Sequence, residues 1–321
     1  MQYCGKTMIM NQKKSLCLFI LFSEKPLIPH YVRIFAIELA RFFDEVVLLS
    51  NQKTLKTIPV LPNNVTITFQ ENRGYDFGRF YSYYKTLKKD SYYRIACIND
   101  SNVLINNLDN VLKWENIVPF DFWGLIDSYE KPWFSTSLEN YHLQSHFFIF
   151  NQKSIDLLDD YFKSVNIEEI LNESNQIILR RKVIDKWEIG LSQFMISRGL
   201  KIGHHIDSEE ITKQFKIRSD SNISHTLYKE LLEAGYPLIK KKVIFEEKWK
   251  FEKRGPVWKK LIKKYGNPDW KLEILIDELE QMKKDQKEKN RPLLVNKIIL
   301  HLHRKSVEPD EKSGKGNVIN D

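Results

Sequence analysis

Leu16-Cys17-Leu18-Phe19-Ile20-Leu21-Phe22 is the stretch that decides the fold, because it predicts a buried strand at the start of a βαβ unit. Pro26 and Pro29 end the run, and apolar residues then recur with a helical period from Val32 to Phe43. A second apolar run, Val46-Val47-Leu48-Leu49, follows as the next strand. A strand, a helix and a strand in succession pair in parallel, so the unit predicts an α/β sheet.

The alternation of strands and helices continues along the chain. Further strands are predicted at 65–69, 93–98, 120–126 and 146–150. Helices are predicted at 81–87, 155–162, 167–171, 188–196, 257–265, 272–282 and 293–303. We therefore expect a mostly parallel sheet flanked by helices, with a helical C-terminal extension.

The composition indicates a globular protein from a reducing compartment. Of the 321 residues, 42% are hydrophobic and 12% are aromatic, which excludes wholesale disorder. Cys4, Cys17 and Cys97 stand far apart, so neither a disulfide framework nor a zinc knuckle is indicated. The apolar run at 16–22 is much shorter than the ~20 residues that span a bilayer, and no small-residue cleavage site follows it. We expect a cytoplasmic protein.

The positive charge is concentrated near the C-terminus. Residues 240–305 contain 20 Lys/Arg and 10 Asp/Glu, a local charge of +10, whereas the whole chain carries +8. This distribution argues against nucleic-acid binding by the whole protein and favours an anionic partner for the segment, with membrane lipid a candidate beside RNA. A solvated helical surface is the other explanation.

The predicted helix at 257–265 is the amphipathic part of this basic segment. Val257, Trp258, Leu261 and Ile262 fall on one helical face beside several lysines, which suits a membrane surface. Packing of the same face on the rest of the protein is the alternative. We expect peripheral attachment at the inner membrane face and no nucleic-acid partner.

Asn99-Asp100-Ser101 directly follows a predicted buried strand. Ligands of open α/β sheets bind at the carboxyl ends of the strands. A carboxylate there can help to hold a divalent cation that bridges the diphosphate oxygens of a nucleotide. An Asx turn or a helix cap is the other explanation of this tripeptide.

A second polar cluster is a glycine-containing loop. Asn72, Gly74, Asp76 and Gly78 alternate along it, and Arg79 follows. Glycine lets the backbone approach a ligand, Arg79 suits a phosphate, and Asp76 suits a sugar or a base. A turn followed by a helix cap explains the same residues.

Trp123, Gly124 and Asp127 lie close together in the predicted strand that ends with Ser128. An aromatic ring packs on the apolar faces of sugars and a carboxylate accepts hydrogen bonds from hydroxyl groups, so this composition suits a carbohydrate. A buried core tryptophan is the other explanation.

Hydrogen-bonding side chains also precede the strand at 146–150 and open the helix at 188–196. His142, Gln144 and Ser145 supply donors and acceptors before the strand, whereas Glu188 at a helix start would gain from the helix dipole. A first-turn acid without further role would explain Glu188 equally. His204 is expected at the surface without a partner.

The motifs occur in an order that resembles the rhamnan-synthesis F family of bacterial polysaccharide glycosyltransferases. That family carries, in series, Asn-Asp-Ser, Phe-Trp-Gly-x-x-Asp-Ser, His-Leu-Gln-Ser and Glu-x-Gly-Leu-Ser. Here they are Asn99–Ser101, Phe122–Ser128, His142–Ser145 and Glu188–Ser192. Asn222-Ile223-Ser224-His225 and Gly235–Lys240 are similar to two further family segments, Asn-Pro-Thr-His and Gly-x-Pro-x-x-Lys, although Ile-Ser replaces Pro-Thr. The resemblance covers residues 15–245.

The resemblance implies a GT-A-like, Rossmann-type glycosyltransferase domain over residues 14–245. The composition of the rest predicts a basic helical segment over 246–305 and a disordered tail over 306–321. The resemblance implies transfer of a sugar, with L-rhamnose or another deoxysugar as prototype, from a nucleoside diphosphate donor. The acceptor would be a growing cell-surface polysaccharide, such as O-antigen or capsule, or a lipid-linked glycan.

The resemblance also implies roles for the motif residues. The catalytic base would be Glu188 or Asp127. The nucleotide would contact Asn72, Asp76, Arg79, Asn99 and Asp100. The sugars would contact Trp123, Gly124, His142, Gln144 and Ser145.

A Mg²⁺ or Mn²⁺ ion held by Asp100 and His225 is the cofactor that the resemblance implies. The Asn-Asp-Ser tripeptide has one carboxylate where the Asp-x-Asp metal motif has two, so the metal dependence stays open. The single carboxylate also motivates a second hypothesis, a non-catalytic carbohydrate-binding or assembly protein with a degenerate glycosyltransferase fold.

Overall fold

The computed structural model describes residues 13–307 except 116, 118, 219–221 and 247–256, and it describes side chains up to residue 289. The strands are β1 (Lys14–Leu21), β2 (Glu45–Ser50), β3 (Val65–Phe69), β4 (Tyr92–Asn99), β5 (Asn102–Leu104), β6 (Phe122–Ser128), β7 (His142–Leu143), β8 (Phe147–Asn151), β9 (Ile202–Ile206) and β10 (Leu238–Lys240). The large sheet has the order β3-β2-β1-β4-β8-β6-β7, and β9 also pairs with β6. β10 pairs with β5 in a separate two-stranded sheet.

The large sheet is parallel on one side and mixed on the other. β1 pairs in parallel with β2 and β4, and β2 pairs in parallel with β3. β8 lies antiparallel between β4 and β6, whereas β9 is parallel to β6. The predicted α/β class with a mostly parallel sheet is confirmed. The carboxyl ends of β1, β2 and β4 therefore meet at one edge.

Helices cover both faces of this sheet. They are α1 (His30–Leu39), α2 (Tyr75–Tyr84), α3 (Asp109–Glu115), α4 (Gln152–Ser164), α5 (Ile167–Leu171), α6 (Gln176–Val183), α7 (Leu191–Ser197), α8 (Ser208–Gln214), α9 (Ile223–Thr226), α10 (Tyr228–Glu233), α11 (Lys241–Glu246), α12 (Val257–Tyr265) and α13 (Leu272–Val307). A π-helix at Ile184–Gly190 joins α6 to α7. Glu188 thus lies inside a helical stretch that begins at Gln176, and the prediction that it opens a helix is wrong.

The start of α2 also differs from the prediction. The helix begins at Tyr75 and not at Tyr81, directly after Gly74, whose φ of 69° is left-handed. A Cβ atom on Gly74 would lie 2.9 Å from the Cα of Gly78, so the turn approaches the helix too closely for a side chain. The loop that the sequence pattern predicts at 72–79 is consequently short, and Asp76 belongs to the first helical turn.

β1 contributes to two hydrophobic cores because its side chains alternate across the sheet. Phe19 packs in the core that contains residues of α1, α12 and α13. Leu18 packs on the other face, with residues of α2, α4 and the π-helix. A strand that is buried on both faces appears in the sequence as a continuous apolar run.

The apolar face of α12 lies in the first core. Trp258, Leu261 and Ile262 are 1%, 5% and 0% exposed. They belong to the same cluster as the buried residues of α1, and α12 contacts α10 and α13. The alternative that this face packs on the rest of the protein is therefore the one observed, and the face offers no apolar surface to a membrane.

The start of α1 is capped by a side chain from α13. Pro29 at the N-cap position makes no side-chain hydrogen bond. The Glu278 carboxylate accepts one from the N–H of His30 at 2.6 Å and one from the N–H of Tyr31 at 2.9 Å. A carboxylate at this position satisfies unpaired amides and complements the helix dipole. It ties α13 to the first βαβ unit.

Some predictions fall partly outside the described residues. They concern Cys4, residues 308–321 of the tail and the side chains of the helix at 293–303. Cys17 and Cys97 are buried and free. Among the described helices, none has the length and apolar character that crossing a membrane requires. The division at 245/246 into a domain and an extension stays a prediction.

Candidate active site

A cleft of about 920 Å³ opens where β1 and β4 end. Polar residues from distant parts of the chain meet there, as ligand sites of α/β sheets do. The cleft brings together these predicted site residues: Asn72, Asp76, Arg79, Asn99, Asp100, His142, Ser145, Glu188 and His225. The remaining predicted residues, Trp123, Gly124, Asp127 and Gln144, are not among its lining residues.

Asp76 connects the first turn of α2 to the end of β4. Asn99 Nδ2 donates a hydrogen bond to Asp76 Oδ2 at 2.8 Å, and the N–H of Phe77 donates to Oδ1 at 3.0 Å. Burial raises the pKa of Asp76 to about 6; the hydrogen bond from Asn99 opposes this rise and the charge of Glu188 adds to it. Two neighbouring carboxyl groups therefore share the cleft, and one of them titrates near neutral pH.

Glu188 is presented to the cleft by the π-helix. The N–H of Ser145 donates to Glu188 Oε1 at 3.0 Å, which fixes the carboxylate beside the segment that leads into β8. A Cβ on Gly190 would lie 2.9 Å from the carbonyl oxygen of Asp185, so the wide turn needs glycine there. π-helices are rare overall, but those that occur are frequently at functional sites. The local geometry of Glu188 comes from this turn and from Ser145, not from a helix N-terminus.

Asp100 is already paired with a cation of the protein. Its Oδ2 accepts hydrogen bonds from Lys241 Nζ at 2.7 Å and from the Tyr31 hydroxyl at 2.7 Å. Its Oδ1 accepts one from the N–H of Phe22 at 3.3 Å. The tripeptide is also an Asx turn, since the N–H of Ser101 donates to the Asn99 side chain at 3.1 Å.

The residues around Asp100 do not fit the predicted Mg²⁺ or Mn²⁺ site. Both carboxylate oxygens are engaged, and a divalent ion at Oδ2 would meet the ammonium of Lys241. Among the described residues, Asp100 and His225 do not belong to a set of three side chains whose donor atoms converge on one ion. Hard divalent cations prefer several oxygen ligands, which this position does not supply.

Arg79 lines the cleft, but its guanidinium is bound to the backbone. Nη1 donates to the carbonyl of Leu21 at 2.8 Å and Nη2 to that of Leu49 at 2.7 Å, which joins the ends of β1 and β2. Burial lowers the pKa of Arg79 to about 10, so the group stays charged near neutral pH. These two nitrogens are thus hydrogen-bonded to the ends of β1 and β2, in place of the phosphate pairing that we predicted.

Trp123 and Gly124 lie in the core. Trp123 is 0% exposed and packs against Trp114 and Phe147, with ring centroids 5.4 and 6.0 Å apart. A Cβ on Gly124 would lie 3.0 Å from the carbonyl oxygen of Phe147, so glycine permits the close pairing of β6 and β8. A ring without exposed surface cannot stack on a ligand, so the position of Trp123 does not fit the predicted sugar contact, and that of Gly124 stays a prediction.

Asp127 belongs to a second polar cluster that does not line the cleft. The N–H of Ser208 donates to Asp127 Oδ1 at 2.7 Å, and His204 Nδ1 lies 3.5 Å from Oδ2. Burial raises the pKa of Asp127, and His204 opposes the rise. His204 is half-buried between Asp127 and Asp207, contrary to the surface position that we expected. Donor atoms of these three side chains lie within 4.8 Å of one another and could hold a metal ion.

The segment from His142 to Ser145 contributes His142 and Ser145 to the lining of the cleft. Nδ1 of His142 lies 2.6 Å from the carbonyl oxygen of Asn140, which can only accept, so this nitrogen carries the hydrogen. Gln144 is buried, and its Oε1 accepts a hydrogen bond from the Ser224 hydroxyl at 2.9 Å. It thereby holds α9, which places His225 at the cleft, and acts as a positioning residue.

Four basic residues that we did not assign to the site also line the cleft: Arg180, Lys240, Lys241 and Lys242. Burial lowers the pKa of Lys240 to about 8; the charges of Glu188 and Glu130 oppose this effect, and those of Lys242 and Arg180 add to it. Burial, Lys240 and Lys242 lower the pKa of His225 to about 4. Cations that disfavour one another in this way are stabilised when an anion binds among them. The lysine triplet after a short apolar strand was the sequence signal, but we assigned it to the basic C-terminal segment.

Residues 47–314 of the chain match the model of a protein family that is described as rhamnan synthesis protein F. The chain belongs to the rhamnan synthesis protein F family. The resemblance of the motifs is thereby confirmed. The matched region includes most of the residues that line the cleft.

Curated relatives of this family member include the virulence protein VirA of Vibrio anguillarum, from strain ATCC 68554 / 775 and from the species without a stated strain. Each is 24% identical over 205 residues, which are 54% of this chain and 60% of VirA. The chain therefore matches less than two thirds of the length of these relatives.

Solved structures show only weak similarity. A Bacillus anthracis protein described as a glucose-1-phosphate thymidylyltransferase, in complex with sucrose, aligns with a TM-score of 0.38 and 8% identity over 60% of this chain and 86% of that chain. A 4-diphosphocytidyl-2C-methyl-D-erythritol synthase from Anaerococcus prevotii aligns with a TM-score of 0.36 and 9% identity over 61% and 89%. Similarity at this level carries no functional conclusion.

Proposed function

We propose that this member of the rhamnan synthesis protein F family transfers a sugar from a nucleoside diphosphate donor to a hydroxyl group of a growing cell-surface glycan. The observation that carries the proposal is the meeting of two carboxyl groups, Asp76 and Glu188, with a row of basic side chains in one cleft. An anionic donor requires the basic groups, and a hydroxyl nucleophile requires a base. Clefts that bind ligands have volumes of roughly 300–1,000 Å³, a range that includes this one.

In the proposed reaction, the acceptor oxygen bonds to the anomeric carbon of the donor sugar while the bond from that carbon to the diphosphate breaks. Glu188 takes the proton of the acceptor hydroxyl, and the nucleoside diphosphate leaves with the bonding electrons. Basic side chains stabilise the negative charge that develops on the leaving oxygen. Ser145 supports the role of Glu188 because its N–H holds one carboxylate oxygen in place.

The finer assignments follow the family. We propose L-rhamnose or another deoxysugar as the transferred group and a polysaccharide or a lipid-linked glycan as the acceptor. Asn72, Asp76 and Asn99 would contact the nucleotide, and His142 would contact the sugars. Asp76 and Asn99 are suited to this because their mutual hydrogen bond fixes both at the end of β4.

We also propose that the protein works at the cytoplasmic face of the inner membrane. The apolar face of α12 is buried, so attachment would depend on charge alone. Lys260, Lys263 and Lys264 are exposed on the outer side of this helix. Each basic residue close to an anionic leaflet contributes about 1 kcal/mol, so a few of them give weak, reversible binding.

Release of nucleoside diphosphate tests the proposed reaction. Purified protein is incubated with dTDP-rhamnose and a panel of other dTDP and UDP sugars, with and without glycan acceptors. We expect one donor to be consumed, faster with acceptor, and Glu188→Gln to slow the release by on the order of 10²–10⁴-fold. The matched control is Glu210→Gln, on an exposed position of α8, which should act like the wild type.

The non-catalytic hypothesis gives a different result in the same experiment. A carbohydrate-binding protein with a degenerate site would bind donor or glycan but release no nucleotide from any donor in the panel. That outcome, with a folded protein, would contradict the proposed transfer.

A further inference from the structure

We infer that the ammonium group of Lys241 takes the place of a divalent cation at the end of β4, and that the donor diphosphate is bound by side-chain cations without a metal ion. The inference rests on the proposed function, since it concerns the donor of the same cleft. It names the groups that recognise the diphosphate and predicts how binding responds to chelators.

Lys241 and Asp100 form an ion pair at the end of β4. Their charged atoms are 2.7 Å apart, and the side chains are 19% and 8% exposed. A charged hydrogen bond of this length between largely buried groups is strong. Removing one partner would leave the other charge buried without compensation, which is costly. A metal ion would therefore have to displace a favourable internal ion pair.

Main-chain hydrogen bonds fix the backbone of Lys241 beside the end of β4. β10 pairs with β5, and the N–H of Lys241 donates to the carbonyl of Ser101 at 3.0 Å. Lys241 therefore adjoins the Asn-Asp-Ser turn through main-chain bonds as well as through its side chain. Its presence there does not depend on the rotamer of a flexible surface lysine.

The ammonium group of Lys241 can donate three hydrogen bonds, because it has three N–H bonds. Nζ of Lys241 uses two of them, toward Asp100 Oδ2 at 2.7 Å and toward the Tyr31 hydroxyl at 3.0 Å. The described residues leave the third for a ligand, and Lys241 lines the cleft. The ammonium group is thus held by two acceptors and can donate its third hydrogen bond to a phosphate oxygen.

Further cations of the cleft complete the charge balance. Arg180 and Lys240 have no carboxylate at ion-pair distance among the residues that the structure describes, and Lys242 has only Glu246, at 3.9 Å. Together with Lys241 and Arg79 they give the cleft five cationic side chains, against the carboxyl groups of Asp76, Asp100, Glu130 and Glu188, so its lining has a formal net charge of +1. A metal ion would bring its charge in one atom, whereas here side-chain ammonium and guanidinium groups would contact the diphosphate.

The test is the binding of dTDP and UDP, measured by calorimetry in EDTA and in MnCl₂. We expect the dissociation constant of the nucleotide that binds to be the same in both buffers. Lys241→Met should weaken binding about tenfold or more, because a hydrogen bond to a charged group is lost, and Lys241→Arg should restore part of it. Lys260→Met, the same change at an exposed lysine of α12, is the control and should bind like the wild type.

The outcomes separate the inference from the proposed function. Nucleotide binding that appears only with Mn²⁺ and is lost in EDTA would overturn the inference and leave the glycosyltransferase proposal intact. Absence of dTDP and UDP binding in both buffers, by protein that unfolds cooperatively, would overturn the proposed function and the inference together. Should Lys241→Met fail to fold, the comparison of the two buffers with wild-type protein decides.

Discussion

Asp76 and Glu188 show how two carboxyl groups of one cleft acquire different properties. Asp76 is buried and hydrogen-bonded to Asn99, and its pKa is raised to about 6. Glu188 is held by a main-chain amide of Ser145. A pair of acids in unlike surroundings can divide the roles of base and binding group. Single substitutions that keep the shape of the side chain test this division.

Glu188→Gln should lower turnover more than donor affinity. Glutamine keeps the oxygen that accepts from Ser145 but cannot take the proton of the acceptor hydroxyl. Loss of general-base catalysis costs on the order of 10²–10⁴-fold in rate. Steady-state kinetics with the donor found above measures kcat and KM separately. A variant with wild-type kcat and only a lowered melting temperature would assign Glu188 to structure.

Asp76 makes the free energy of unfolding depend on pH. Its pKa is about 6 in the folded protein and 3.8 as the ordinary value, so the folded state binds more protons between these pH values. Stability is therefore fully retained below about pH 4 and decreases as the pH rises to about 6, by on the order of 3 kcal/mol at most.

Asp76→Asn should remove this decrease. The variant gains stability relative to the wild type as the pH rises from 4 to 6, in urea unfolding followed by circular dichroism. Asp90→Asn, on an exposed position before β4, is the control. A constant difference between wild type and Asp76→Asn over this range would contradict the raised pKa.

At the scale of elements, strands were easier to predict than helix starts and strand order. Residues 16–21 and 46–49 form strands because apolar runs that are buried on both faces have few alternatives. The antiparallel insertion of β8 between β4 and β6 depends on pairing across many residues and leaves no local pattern. The π-helix likewise depends on contacts of Trp187 and Gly190 that only the folded chain supplies.

Only part of the candidate site could be predicted, because local patterns do not show which residues meet in the folded chain. Asp76, Asn99 and Glu188 belong to sequence motifs that could be recognised, and the three residues line one cleft. Trp123 has the right chemistry for a sugar but lies inside the sheet packing. Lys241 could not be recognised as the partner of Asp100, since the ion pair spans 141 residues of sequence.

Trp258→Ala should destabilise the protein strongly, because the helix α12 belongs to the hydrophobic core. Its ring is 1% exposed, and truncation of a buried tryptophan costs about 3–5 kcal/mol. The control is Trp133→Ala, at a ring that is 81% exposed, which should cost less than about 1 kcal/mol. Urea unfolding measures both. Equal stability of the two variants would contradict the packing of α12.

At the scale of the whole molecule, the basic C-terminal segment divides into two parts with different surroundings. Lys240, Lys241 and Lys242 line the cleft. Lys260, Lys263 and Lys264 are exposed on the outside of α12. The segment that one local charge of +10 suggested as a single surface therefore consists of two separate basic surfaces.

Membrane attachment through charge alone predicts a steep dependence on salt. Liposomes with anionic lipid should sediment the protein at low ionic strength and release it at high salt, since screening shortens the range of the attraction. Replacing Lys260, Lys263 and Lys264 by glutamate should reduce sedimentation without changing nucleotide binding. Equal recovery with neutral and anionic vesicles would contradict the proposed attachment.

The cap of α1 has a consequence for the way the protein is made. Glu278 follows His30 by 248 residues, so the ribosome adds this carboxylate roughly 10–50 s after the first residue of the helix that it caps. Until then the amides of His30 and Tyr31 lack their partner, and the face of β1 that carries Phe19 lacks the cover of α12 and α13. The βαβ unit that begins with β1 therefore reaches its final form only after the ribosome has added α12 and α13, and its core stays open until then.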